Sequence, residues 1–140
     1  MSRRVCVDSS IALALVLPDP ERIKAGRLWR EWRKEGAEVV APWLFPFEVR
    51  SVLRQRVVRG DLGDRTARQA WDYVTRLEVR CIHDDRLLDL AWDLAVAHGQ
   101  ATIYDTAYLA LAKLLGCECW TFDRKFADRV GAGDRLLKAI

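Results

Sequence analysis

The sequence predicts an open α/β domain, a mainly parallel sheet with helices on both faces in three layers. Three observations predict it. Short apolar runs at Arg4 to Asp8, Glu38 to Ala41, Glu78 to Ile82 and Cys117 to Thr121 alternate with segments of helical period, so parallel strands are joined by helical crossovers. No internal repeat, low-complexity tract or linker interrupts the 140 residues, a length that suits a single domain with its own core. Finally, Asp8, Asp105 and Asp123 each stand at the end of an apolar segment or the start of a helix, the places that open sheets turn toward ligands.

The first strand, Arg4 to Asp8, is followed by Ser9 and Ser10, which supply N-cap chemistry for a helix over Ile11 to Leu17. Pro18 and Pro20 end that helix and start the next, Glu21 to Glu35, where Ile23, Leu28 and Trp32 recur among charges as far as Gly36. Glu38 to Ala41 is the second strand. Pro42 and Pro46 are tolerated in a first helical turn, whose N–H groups have no partner to lose, and the helix runs through Glu48 to about Arg59. Leu44, Glu48, Val52 and Gln55 share one side of it. A carboxylate among apolar neighbours must be paired, protonated or metal-bound; an ion pair to an arginine one turn away is the plainer alternative.

Gly60 to Gly63 is a turn, Asp64 caps a helix running through Trp71 and Val74 to Leu77, and Glu78 to Ile82 is the third strand. Asp85 to His98 is helical and Gly99 ends it. Thr102 is the expected N-cap of the following helix. Asp105 stands three residues on in the capping-partner position, and Tyr108, Leu109 and Ala112 continue one face. Cys117 to Thr121 is the fourth strand, Arg124 to Arg129 a short helix, and Arg135 to Ile140 a last edge strand. With the first strand central, the second and third on one side and the fourth on the other, the switch point falls between strands one and four. Asp8 and Asp123 end those two strands.

Composition narrows the function. The chain is 51% hydrophobic and 31% charged, as expected of a soluble globular protein. No apolar run approaches the roughly 20 residues of a membrane span. Asp8 interrupts any signal-peptide core after the basic start, so a cytoplasmic location is the default. A net charge of +3 excludes a strong polyanion binder overall, although arginine outnumbers lysine more than threefold among the 23 cations. Arginine forks match phosphate geometry, which suits either a local nucleic-acid surface or simply solvated helices. Cys6, Cys81, Cys117 and Cys119 lack a C-x-x-C spacing and are accompanied by only two histidines, His83 and His98. They read as buried reduced thiols rather than zinc ligands, a Cys6–Cys119 bridge being conceivable only in a hyperthermophile.

Each aspartate taken singly has a structural explanation. Asp105 can serve a capping box, Asp123 can cap the short helix after it, and Asp8 can accept from the amides of Ser10 and Ile11. Three capping roles give no reason for the acids to share one edge of a sheet, where like charges raise one another's pKa. A divalent cation removes that difficulty. Mg²⁺ and Mn²⁺ favour carboxylate oxygens and water, and such a site can activate water and hold phosphate oxygens, the chemistry of phosphodiester hydrolysis.

Four blocks then carry a resemblance: Val7-Asp8-Ser9-Ser10, the Glu48 helix after Pro42, Tyr104-Asp105-Thr106-Ala107-Tyr108-Leu109, and Thr121-Phe122-Asp123-Arg124-Lys125-Phe126. In this order, and across nearly the whole chain, they resemble PIN-domain ribonucleases, specifically the VapC toxins of toxin–antitoxin systems. The resemblance implies a parallel sheet of order 3-2-1-4-5 between helices. It implies that Asp8, Glu48, Asp105 and Asp123 form an acidic quartet for Mg²⁺ or Mn²⁺, with Asp8 and Asp105 as direct ligands and Glu48 and Asp123 acting directly or through water. Ser10 and Thr121 match the hydroxyl residues that assist in that pocket. Asp128, one turn beyond Asp123, is assigned to the surface.

The implied activity is in-line attack of an activated water on an RNA phosphodiester, in a homodimer silenced by a small VapB-like antitoxin whose tail occupies the active-site groove. Arg50, Arg54, Arg56, Arg124 and Lys125 become candidates for contacting RNA phosphate or an acidic antitoxin tail. Two other readings stand beside this one. A catalytically silent PIN-fold binding module would keep the fold without the chemistry. An aspartyl phosphohydrolase would use Asp8 as nucleophile but wants a second acid two positions on, where this chain has Ser10.

Overall fold

A computed structural model describes residues 3–131 and 133–140. Among them, five strands form one parallel sheet of order β3-β2-β1-β4-β5. The elements run β1 (Arg4–Val7), α1 (Ser9–Val16), α2 (Arg22–Lys34), β2 (Glu38–Pro42), α3 (Phe45–Val58), α4 (Asp64–Arg76), β3 (Arg80–Ile82), α5 (Asp85–Ala97), α6 (Tyr104–Leu115), β4 (Glu118–Thr121), α7 (Arg124–Val130) and β5 (Leu137–Ala139). The expected strand order and the edge strand near the C-terminus are both present.

The layering follows from connection handedness. Crossovers between parallel strands are right-handed. The steps β1 to β2 and β2 to β3 travel one way along the sheet, whereas β3 to β4 and β4 to β5 travel the other way. Helices α1 to α4 therefore cover one face and α5 to α7 the other. The packing agrees: α1 lies against β1 and β4 and touches α2, α3 and α4, while α6 lies against β1, β2 and β4 and touches α5 and α7. A strand covered on both faces must be apolar at every position, and Val5, Cys6 and Val7 are all fully buried.

β1 pairs with β2 through Val5–Val39 and Cys6–Val40, and with β4 through Cys6–Cys119 and Val7–Trp120. All four cysteines are free thiols, although Cys6 and Cys119 stand opposite each other on neighbouring strands. Burial and the adjoining sulfur hold the Cys119 thiol well above its ordinary pKa, with hydrogen bonding to Cys6 the larger cause. At the other end of α6, Gly116 adopts φ 65° and ends the helix in the left-handed conformation that a side chain resists.

Several local expectations change. Asp8, not Ser9 or Ser10, is the N-cap of α1, because β1 stays extended through Asp8 and its carboxylate reaches the Ser10 amide. Gly63 rather than Asp64 precedes α4, leaving Asp64 in the first turn, where its charge faces the helix N-terminus and pairs with Arg68. Glu78, at φ 58°, is a turn residue, so β3 begins only at Arg80. Thr102 does not cap α6. Ile103 occupies that position and makes no side-chain cap bond, and the Asp105 carboxylate bonds Arg129 instead of serving a capping box.

Candidate active site

The switch point lies between β1 and β4, and the carboxyl ends of these strands deliver two of the acids directly. Asp8 follows β1 and is 5% exposed; Asp123 follows β4 and is exposed as the N-cap of α7, its Oδ1 accepting from the Phe126 amide at 3.1 Å. Glu48 comes from the first turn of α3 and Asp105 from the first turn of α6. Four segments remote in the chain thus bring their acids to one edge of the sheet.

Asp8 is clad in neutral donors. Ser10 gives both its amide, at 3.0 Å, and its hydroxyl, at 2.5 Å, to Oδ1; the fully buried Thr121 hydroxyl donates to Oδ2 at 2.5 Å. These hydroxyls also knit the two strands' ends together, since the Phe122 amide donates to Ser10 Oγ and the Asp123 amide to Thr121 Oγ1, both at 2.9 Å. The supporting roles expected of Ser10 and Thr121 are therefore structural as well as local to the acid. Burial pushes the Asp8 carboxyl up from 3.8 to about 7, the hydroxyl bonds opposing the rise and the charge of Glu48 adding to it.

Glu48 makes no pair with an arginine of its own helix. Its Oε1 accepts from Ser9 Oγ at 2.5 Å and from Tyr108 OH at 3.3 Å. Burial raises its pKa, and the charges of Asp105 and Asp123 raise it further, against the pull of Ser9 and Tyr108. The acids are therefore close enough to repel through Glu48. Tyr108 is held well above its ordinary pKa, first by burial and then by the Glu48 charge, so it remains a phenol that donates. Neither Ser9 nor Tyr108 was singled out from the sequence as a site residue. The usable signals were a tyrosine three residues after Asp105, hence on the same helical face, and a second hydroxyl beside Asp8.

Asp105 is different again. Arg129 on α7 donates to its Oδ2 from Nη2 at 2.5 Å and from Nε at 3.1 Å. No sequence signal marked this pair, because the partners lie 24 residues apart on separate elements. Asp128, the residue before it, is exposed, as expected.

Of the five expected contact cations, Arg124 and Lys125 are exposed on α7 immediately after Asp123. Arg50 and Arg54 are exposed on α3 and line a concavity with Trp43, Phe47 and Trp71, the Arg50 guanidinium lying 4.1 Å from the Trp71 ring centre. Arg56 is half-buried near the far end of α3, about two turns beyond Glu48, and stands apart from the acids. Phe47 and Tyr104, the chain neighbours of Glu48 and Asp105, are exposed.

The donor set consists of carboxylate and hydroxyl oxygens, which suits a hard dication and excludes soft-metal ligation. Among the described residues, no three His, Cys, Asp or Glu side chains are gathered into a ready-made ion cage. The raised pKa values of Asp8 and Glu48 come first from burial and then from the neighbouring carboxylate charges.

Comparison with known proteins identifies the family. A family profile described as PIN domain matches residues 5–131. Ribonuclease VapC3 of Pyrobaculum aerophilum is 27% identical over 129 residues, 92% of this chain and 96% of the relative. Ribonuclease VapC12 of Mycobacterium tuberculosis is 32% identical over 127 residues, 91% of this chain and 92% of the relative. The crystal structure of Mycobacterium tuberculosis VapC20, described as a sarcin-ricin loop cleaving toxin, superposes with a TM-score of 0.68 at 25% identity, covering 89% of this chain and 93% of that one. Sheet order and sequence relatives converge, and the chain belongs to the PIN-domain family, among its VapC ribonucleases.

Proposed function

We propose that the protein is a metal-dependent endoribonuclease toxin that hydrolyses RNA phosphodiesters at the edge lined by Asp8, Glu48, Asp105 and Asp123. The observation that carries this reading is Asp8: a nearly inaccessible carboxylate, bonded only to neutral donors and pushed up to about 7. Burying an acid without a counter-charge opposes folding, and it is sustained where a ligand supplies the missing charge.

Asp8 and Asp105 would hold Mg²⁺ or Mn²⁺ directly, with Glu48 and Asp123 acting directly or through water. A bound dication would supply phosphate charge neutralisation and a lowered pKa for an attacking water. The chain's own residues do the remaining work. Ser10 and Thr121 fix both oxygens of Asp8, and Ser9 and Tyr108 fix one oxygen of Glu48 and leave the other free. Arg124 and Lys125, exposed beside Asp123, would meet a phosphate backbone, and exposed Phe47 and Tyr104 would offer faces on which unpaired bases stack. Single-stranded or looped RNA suits such a surface better than a regular duplex.

The same reading includes a homodimer, a cytoplasmic site of action and inhibition by a VapB-like antitoxin whose acidic tail meets the arginine-bearing surface of α3 and α7. No helix among the described residues is long and apolar enough to cross a membrane. The test is cleavage of a pool of single-stranded RNAs by the purified protein in Mg²⁺, in Mn²⁺ and in chelator, with Asp8→Ala as control. Cleavage should require the cation and vanish in the variant. Full activity in chelator, or in a clean preparation of Asp8→Ala, defeats the proposal.

A further inference from the structure

Three of the four acids are satisfied by neutral groups: Asp8 by two hydroxyls and an amide, Glu48 by Ser9 and Tyr108, Asp123 by the Phe126 amide. Asp105 alone among them is held by a cation. Both Arg129 donors converge on Oδ2, so Oδ1 is left free, and the pair is open to water, with side-chain exposures of 41% for Arg129 and 33% for Asp105. An exposed pair of this kind is weak and opens readily. Its position is nonetheless fixed, because α7 is anchored by buried Phe126 and Val130 on either side of the arginine's turn.

A dication entering this edge competes with Arg129 twice, for the Asp105 oxygens and through repulsion between positive charges. Once displaced, the guanidinium stays tethered at the rim of the site, where a planar fork of donors matches two phosphate oxygens. We propose that Arg129 is a two-position residue: it latches Asp105 while the cation is absent and, on release, binds a non-bridging phosphate oxygen of the RNA. This rests on the metal-dependent ribonuclease reading and adds to it a residue that weakens cation binding and strengthens substrate binding.

The test uses the full chain as wild type, Arg129→Ala and Arg129→Lys. Mn²⁺ is titrated calorimetrically without RNA, and cleavage of a single-stranded oligoribonucleotide is then measured at saturating Mn²⁺ with kcat and KM resolved. Arg129→Ala should bind Mn²⁺ about fivefold more tightly than wild type and show a KM for RNA raised about tenfold. Arg129→Lys, which keeps the charge and loses the fork, should lie between the two on both scales. An unchanged Mn²⁺ affinity or an unchanged KM overturns the proposal, and a lowered melting temperature with neither effect reduces Arg129 to a tie between α6 and α7. Absence of Mn²⁺ binding by wild type and Arg129→Ala alike defeats the metal-site reading itself, and this inference with it.

Discussion

The two sides of the acidic edge solve the same electrostatic problem in opposite ways. Asp8 sits at the end of a central strand, inaccessible, surrounded by hydroxyls and carrying an elevated pKa. Asp105 and Asp123 sit on helix starts, open to water, one matched by Arg129 and the other by the Phe126 amide of α7. Water and local charges already stabilise an exposed carboxylate, so the site exacts little stability on that side. On the buried side the cost of ionisation falls on the fold. The difference teaches that the stability cost of the acidic edge is concentrated at Asp8, while Asp105 and Asp123 are carried by solvent and by their local partners.

The largest effect should come from Asp8→Asn. Loss even of groups that merely orient a metal's ligands costs roughly 10- to 100-fold, so on the proposed reading, with Asp8 a direct ligand, cleavage of RNA should fall at least about 100-fold. The same substitution should stabilise the cation-free protein above pH 7, because the wild-type carboxyl must ionise in a buried place. A rise from 3.8 to about 7 corresponds to on the order of 4 kcal/mol. The sign is that of a raised folded-state pKa: the stabilisation is present below about pH 4 and lost as pH climbs to about 7. Urea unfolding of wild type and Asp8→Asn across pH 4 to 8 should therefore give curves that diverge upward, and Mg²⁺ should recover wild-type stability at neutral pH. Parallel curves would erase the contrast between the two sides.

Thr121→Val comes next. The near-isosteric change strips Asp8 Oδ2 of its donor and the Asp123 amide of its acceptor in a fully buried place. It should cost about 1–3 kcal/mol by denaturant unfolding and move the Asp8 pKa further up. Tyr108→Phe removes one donor to Glu48, a loss of about 1 kcal/mol, and should raise the Glu48 pKa, measured by carboxyl carbon NMR. The smallest stability change belongs to Asp123→Asn, which keeps an N-cap acceptor for Phe126 and should alter stability by no more than about 0.5 kcal/mol while still reducing cleavage. A loss of several kcal/mol there would mean that the exposed side, too, is structurally committed.

Much of the fold was legible. The alternation of apolar runs with amphipathic segments gave five strands, and the aspartates at segment ends pointed to one sheet edge, because strand ends and helix starts coincide there in any parallel α/β sheet. Helix boundaries were less legible. Thr102 looks like a cap and is not one, and of the two readings open at the start of α1, capping by Ser9 and Ser10 or by Asp8, the structure takes Asp8. In both cases a local capping pattern competed with how far the preceding segment stays extended, which neighbouring strands decide. Glu48 could be flagged as a carboxylate on a partly apolar face, but its partners could not. Ser9 and Tyr108 meet it only because α1, α3 and α6 converge.

By itself the sequence determined which residues carry charge and hydroxyls, their periodicity, and hence the layered sheet and the three aspartates at the ends of its segments. Those properties are local, set by burial patterns of period two or 3.6 along the chain. Only the tertiary structure decided which acid is buried and which exposed, that Asp8 is driven to about 7, and that Arg129 reaches Asp105. Desolvation and charge pairing depend on what packs around a group in space, and residues 24 to 113 positions apart supply those surroundings here.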